Sequence, residues 1–138
     1  MTSKLNPYIN FKGTAKAAME FYKEALGGEL TMSTFGASGM PVDESEKENI
    51  MHAMLIAPNG ITLMASDTPN HMEYKPGTNV SVSLSGENES ELKGYWEKLS
   101  VEGNITQPLV AAPWGDQFGM FTDKFGIQWL VNIAPKKS

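Results

Sequence analysis

Two histidines, His52 and His71, are the side chains of this chain whose ordinary pKa suits proton transfer near neutral pH. His52 falls within Ile50 to Ala57, a segment of strand-forming residues, and is a candidate general base or pocket residue. No nucleophile partner for it is visible, so a satisfied structural histidine beside a pocket wall is its other reading. His71 sits among turn-forming residues and reads as an exposed loop residue. The chain has no cysteine, which closes thiolate catalysis, disulfides and Cys-based zinc sites. Sixteen acidic residues outnumber eleven basic ones, all lysine, and the net charge of -5 would repel a phosphate backbone. Nucleic acid is therefore not an expected partner. No Gly-rich turn leads from a strand into a helix as a nucleotide or S-adenosylmethionine site requires, because Gly27-Gly28 follows a helix and Gly36 and Gly39 are isolated.

The remaining candidates are uncharged. Strand alternation puts Thr62, Met64 and Ser66 on one face of a strand, and Gln128, Leu130 and Asn132 on one face of another. Such faces combine apolar wall with hydroxyl and amide groups, a lining suited to a neutral or mildly polar organic ligand. The chain has nine methionines, most of them expected as core filler; Met54, Met64 and Met120 are placed nearest the cavity. Trp114, between Pro113 and Gly115, reads as a loop aromatic that clamps a ligand or plugs a dimer contact, with Phe118 continuing the wall. Trp129 reads as core. Asp116 and Asp123 are either a buried acid pair or turn caps, and capping is the simpler role.

These residues need elements to position them. Leu5 to Phe11 reads as a strand before the turn Lys12-Gly13. Ala15, Ala18, Met19, Tyr22, Ala25 and Leu26 recur at helical spacing, with Thr14 as N-cap and Gly27-Gly28 as the stop. Glu29 to Phe35 is the next strand, and the acidic stretch Asp43 to Asn49 is a mobile loop, read as surface or as a pocket lid. Ile50 to Ala57 and Ile61 to Ser66 form a hairpin about Asn59-Gly60. After the linker Asp67 to Gly77 the order repeats. Asn79 to Leu84 is a strand, Glu89 to Leu99 a helix with Leu92, Tyr95, Trp96 and Leu99 inward, Ile105 to Val110 a strand, and Gln117 to Thr122 with Ile127 to Ile133 a second hairpin.

The halves superpose along the chain: Phe21-Tyr22 falls on Tyr95-Trp96, and Met54 to Ser66 falls on Met120 to Asn132 without a gap. Duplication explains the shared order, and pairing two halves supplies a larger common core than either alone. The expected fold class is α+β, with two βαβββ modules, 5–66 and 79–133, forming curved mixed sheets around a pocket within a single domain over 1–138.

With that order in view, the chain resembles the vicinal oxygen chelate superfamily of glyoxalases, extradiol dioxygenases and bleomycin-resistance proteins, and within it the small PhnB-like proteins. The resemblance is carried by Asn6-Pro7-Tyr8-Ile9-Asn10-Phe11, by Ala18 to Tyr22 with Leu26 to Glu29, by His52-Ala53-Met54 and by Met64 to Asp67. It continues through Trp114-Gly115-Asp116, Phe118-Gly119, Thr122 to Gly126 and Trp129. It implies a cavity on concave sheet faces, outer helices and a homodimer. It also implies a place for metal ligands on the first and last strand of each half, held here by Pro7, Met64, Asn79 and Leu130. Pro7 and Leu130 offer no ligand, Met64 a soft thioether and Asn79 a weak carbonyl oxygen. Neither a metal nor another cofactor is expected. The expected function is metal-independent binding of a small organic molecule by a homodimer, with Asn79 among the pocket residues. A lyase or isomerase using His52, or an unconventional metal site, is the alternative. The N-terminus has no apolar core of signal-peptide length and no span approaches membrane-crossing length, so no membrane partner is expected and the cytoplasm is the expected location.

Overall fold

The computed structural model describes residues 3–135. The chain forms two compact units, Met1–Pro76 and Gly77–Ser138, and each carries a βαβββ module. In the first unit the elements are β1 (Tyr8–Phe11), α1 (Ala15–Leu26), β2 (Glu29–Thr34), α2 (Phe35–Ser38), a 3-10 turn at Glu44–Glu46, β3 (Ile50–Ile56) and β4 (Thr62–Asp67). The second holds β5 (Val82–Gly86), α3 (Glu89–Leu99), β6 (Asn104–Ala111), β7 (Gln117–Thr122) and β8 (Gln128–Ile133). The sheet orders are β1-β4-β3-β2 and β5-β8-β7-β6, each with one parallel pair and two antiparallel pairs. The fold class is α+β with two mixed sheets. Curvature is weaker than expected, since neither sheet is strongly curled; four strands with two free edges carry no closure constraint that would force them to bend.

In the first unit α1 lies against β2, β3 and β4. Its buried stripe is Ala15, Ala18, Met19, Tyr22, Ala25 and Leu26, the residues at helical spacing, and the three alanines let the helix approach the sheet closely. Beneath it sit Phe11, Ala53, Leu55, Leu63 and Ala65, all buried. The turn from α1 into β2 requires glycine: Gly28 has φ +101, and a Cβ there would collide with the Ile56 carbonyl oxygen. Thr14 occupies the N-cap position of α1 but makes no side-chain capping bond. Asp67, 52 residues beyond Ala15, accepts from Ala15 N at 3.0 Å instead, and its second oxygen accepts from Ile50 N at 2.9 Å. One buried carboxylate thus joins the end of β4 to the starts of α1 and β3.

The acidic segment expected as a mobile loop is held at both ends. Thr34 Oγ1 accepts from Ala37 N and caps α2, whose Phe35 is buried. Phe35 N and Gly36 N donate to the Asn49 and Lys47 carbonyls. Buried Glu46 accepts from Asn70 N at 2.9 Å, and the Asn70 side chain bonds Asp43 and Lys12. These bonds fix Asp43 to Asn49 to the following linker, so the segment is an ordered surface feature.

The core of the second unit is aromatic. Trp96 of α3 meets Phe121 edge-on at 5.0 Å between ring centroids, and Phe121 stacks with Trp129 at 6.4 Å. Gly119 makes room for this: a Cβ there would sit 2.6 Å from the Trp96 ring and 2.8 Å from Leu109 Cα. Asn88 caps α3 by accepting from Glu91 N. The β7–β8 turn repeats that of β3–β4, with Asp123 N to Ile127 O at 2.8 Å and Gly126 N to Asp123 O at 2.9 Å matching Ala57 N to Ile61 O and Gly60 N to Ala57 O. Met54 is paired with Met64, and Met120 with Leu130. The gapless match of the two halves is therefore a match of strand register.

Candidate functional site

Residues opposite one another on neighbouring strands share a face. In the first unit Tyr8 stands opposite Met64, Asn10 opposite Ser66, Met54 opposite Met64 and Ile56 opposite Thr62. Their face is the one away from α1, because the alternating residues Ala53, Leu55, Leu63 and Ala65 are buried under the helix. His52, two residues from Met54, shares it. The five sequence candidates of this unit, His52, Met54, Thr62, Met64 and Ser66, are therefore on one sheet face, and all are half-buried.

Two more residues join them that sequence reasoning missed. Tyr8 Oη lies 3.4 Å from His52 Nδ1, with ring centroids 5.9 Å apart, and Ser66 Oγ donates to Asn10 Oδ1 at 3.3 Å. Since β4 lies between β1 and β3, the Tyr8 side chain reaches across β4 to the histidine. The alternation of Tyr8 and Asn10 with Ile9 and Phe11 was the available signal. Reading Pro7 as the inward position missed it by one residue, which in a strand selects the opposite face.

In the second unit the face away from α3 carries Phe118, Met120, Gln128, Leu130 and Asn132, with Ser83 opposite Leu130 and Ser85 opposite Asn132. Asn132 Nδ2 donates to Asp116 Oδ2 at 2.8 Å. Trp114 is 62% exposed and meets Phe118 edge-on at 5.6 Å. Asp123 makes no acid pair with Asp116. It is buried, and it accepts from Phe125 N, Ile127 N and Trp129 Nε1. Asn79 departs furthest from expectation: it is exposed and precedes β5, which begins at Val82. Its neighbour Val80 would stand opposite Ile127, already in the β7–β8 turn, so the strand has no partner there. Ser83, and not Asn79, is the first-strand residue opposite Leu130.

A cavity of about 830 Å³ lies at the start of α3, lined by Asn88, Glu89, Ser90, Gly115, Gln117 and Ala134 among others. It is separate from the sheet-face residues. Its polar groups are engaged, with Asn88 capping the helix and Glu89 bonded to Lys93 and Gln117. Those partners, Lys93 first and Gln117 next, hold the Glu89 carboxyl below its ordinary pKa. The sheet faces, whose half-buried polar groups lie among apolar ones, are the better candidate site.

The residues present do not fit a zinc, nickel or iron centre. Tyr8 and Met64 hold the paired first- and last-strand positions of one half, Ser83 and Leu130 those of the other, and none is a histidine or carboxylate. The Pro7 carbonyl is occupied by Met64 N at 3.0 Å. Among the described residues no group of three or more His, Cys, Asp or Glu could hold a metal ion.

Residues 4–131 match the family model of the glyoxalase/bleomycin resistance protein/dioxygenase superfamily, and the chain belongs to that superfamily. Within it the chain is similar to protein PA1353 from Pseudomonas aeruginosa, whose crystal structure has 35% sequence identity and a TM-score of 0.88 over 98% of this chain and 100% of that one. It is also similar to the PhnB protein from Bacillus cereus, at 25% identity and a TM-score of 0.75, over 96% of this chain and 100% of that one. Protein YjdN of Escherichia coli is 25% identical over 96% of this chain and 97% of its own length.

Proposed function

We propose that this chain binds a small, uncharged organic molecule on the helix-free faces of its sheets, without zinc, nickel or iron. The carrying observation is the make-up of those faces. Met54, Met64, Phe118, Met120 and Leu130 supply apolar surface, and Asn10, Thr62, Ser66, Gln128 and Asn132 supply neutral donors and acceptors from neighbouring positions. Trp114, with its ring against Phe118, adds aromatic surface beside the face of the second unit. Apart from Asp116, whose carboxylate is bonded to Asn132, the named polar side chains of these faces are uncharged, and they match a neutral molecule better than an anion, which would lose hydration without an opposite charge to replace it.

Thermal unfolding in the presence of neutral aromatic and aliphatic compounds tests the reading. A compound at 100 times its Kd adds about 2.7 kcal/mol to stability, a rise of several degrees in Tm. Met64→Lys and Leu130→Lys put a charge on the faces and are expected to abolish the rise. A rise that survives in both variants would place binding elsewhere.

One observation favours a second reading, a lyase or isomerase: the Tyr8 hydroxyl in contact with the His52 ring can orient it for proton transfer. In that case His52→Gln retains ligand binding and loses solvent exchange of a ligand carbon-bound proton; unchanged exchange removes the reading. Assembly as a homodimer is proposed on the exposed apolar side chains of Ile105, Val110 and Trp114, which a partner would cover. Among the described residues no helix is long and apolar enough to cross a membrane.

A further inference from the structure

Met54 and Met64 stand directly opposite each other on β3 and β4, and His52 lies two residues from Met54 on the same face. Their exposure sets them apart from core filler: Met19, in the helix stripe, is fully buried, while these two methionines are half-buried on the face away from α1. The diagonal from His52 to Met64 spans about 7–8 Å between Cα atoms, and the direct Met54–Met64 pair is closer. Imidazole and thioether side chains each reach several ångströms above the sheet, and the three rise from neighbouring positions of one face.

The His52 ring is also held in an orientation useful for this. When Nδ1–H donates to Tyr8 Oη, 3.4 Å away, the lone pair of Nε2 is left for a ligand, the arrangement by which an outer hydrogen bond fixes a metal-binding imidazole. The neighbours Asn10, Thr62 and Ser66 are neutral, so no carboxylate is present to favour a hard divalent ion. Two thioethers and one imidazole are a soft donor set.

From this juxtaposition of His52, Met54 and Met64 we infer that the first unit binds a soft monovalent metal ion, copper(I), through one imidazole nitrogen and two thioether sulfurs. The imidazole binds the ion through an unprotonated nitrogen, so any proton on that nitrogen passes to solvent, and no electron is exchanged on binding. The inference shares Met54 and Met64 with the organic-ligand reading but does not rest on it.

The test titrates the full chain, without oxygen, against copper(I) held as its bicinchoninate complex. Silver(I) serves as the redox-inert probe in methionine-methyl NMR spectra. One equivalent of copper withdrawn per chain is expected, with silver shifting the Met54 and Met64 methyl resonances and leaving Met19 in place. Met54→Leu and Met64→Leu conserve side-chain volume and retain the fold; each is expected to weaken binding at least tenfold, while His71→Gln leaves it unchanged. Failure to withdraw copper overturns the inference. So does binding that persists in the leucine variants or that shifts other methyl groups. None of these outcomes bears on the thermal response to an organic compound, so the two readings fail separately.

Discussion

Replacing Asp123 with alanine is expected to cost about 4 kcal/mol of stability, the largest effect predicted here for one substitution. The carboxylate is buried and accepts three hydrogen bonds, from Phe125 N at 2.8 Å, Ile127 N at 3.1 Å and Trp129 Nε1 at 2.8 Å. Hydrogen bonds to a charged acceptor are worth about 1.5–3 kcal/mol each, and removing the acceptor leaves buried donors to be desolvated. The β3–β4 turn separates this cost from that of turn geometry. Ala57 stands there in place of Asp123, and the same two backbone bonds form without a carboxylate. The alanine variant should therefore keep its turn and lose the anchoring of Trp129. Urea unfolding should show a lower midpoint at unchanged slope, with a weakened near-ultraviolet circular dichroism signal from the Trp96–Phe121–Trp129 stack. A loss below about 1 kcal/mol would show that the backbone turn alone carries the connection.

Asp67→Ala is expected to cost about 3 kcal/mol for a different reason. Its two oxygens serve the Ala15 and Ile50 amides, so the substitution removes an acceptor from the start of α1 and from the start of β3 together. The carboxylate also lies at the positive end of the α1 dipole. Asp67→Asn keeps one acceptor oxygen and should lose about half as much. Thr14→Ala, at the nominal cap, should lose less than 0.5 kcal/mol, since Thr14 makes no side-chain capping bond. Equal losses for Thr14→Ala and Asp67→Ala would contradict the assignment of capping to Asp67. Amide exchange at Ala15 and Ile50, faster together in the aspartate variant, reads the linkage directly.

Most of the fold was legible because its signals are local. The helical spacing from Ala15 to Leu26 and from Glu89 to Leu99 matches α1 and α3, and Asn59-Gly60 and Gly126 marked both hairpins. Strand alternation alone predicts Ile61, Leu63, Ala65, Ile127, Trp129 and Val131 against the helices; Leu63, Ala65, Trp129 and Val131 are buried, while Ile61 and Ile127, just before β4 and β8, are half-buried. What escaped depends on partners distant in the chain. The pattern Val80, Val82, Leu84 predicts a strand from Asn79, but the parallel β5–β8 ladder opens at the Val82–Trp129 pair, so β5 begins at Val82 and runs on to Gly86 instead. β1 is shorter than Leu5 to Phe11 and begins after Pro7, which has no amide hydrogen to donate. Asp67 was read as the start of a linker because nothing local announces that its acceptors serve residues 17 and 52 positions away. The acidic segment looked mobile for a similar reason, since Glu46 and Asp43 find their partner in Asn70. The candidate face was legible wherever strand register was right; Asn79 and Pro7 fell outside it because each was placed on a strand whose register the sequence alone does not set.

This member of the glyoxalase/bleomycin-resistance superfamily is proposed to hold an uncharged organic molecule and no zinc, nickel or iron. Native mass spectrometry with elemental analysis, on protein purified without chelator, tests it most directly. The predicted result is a dimer free of those three metals that releases an organic mass on denaturation. One zinc, nickel or iron ion retained per chain would contradict it.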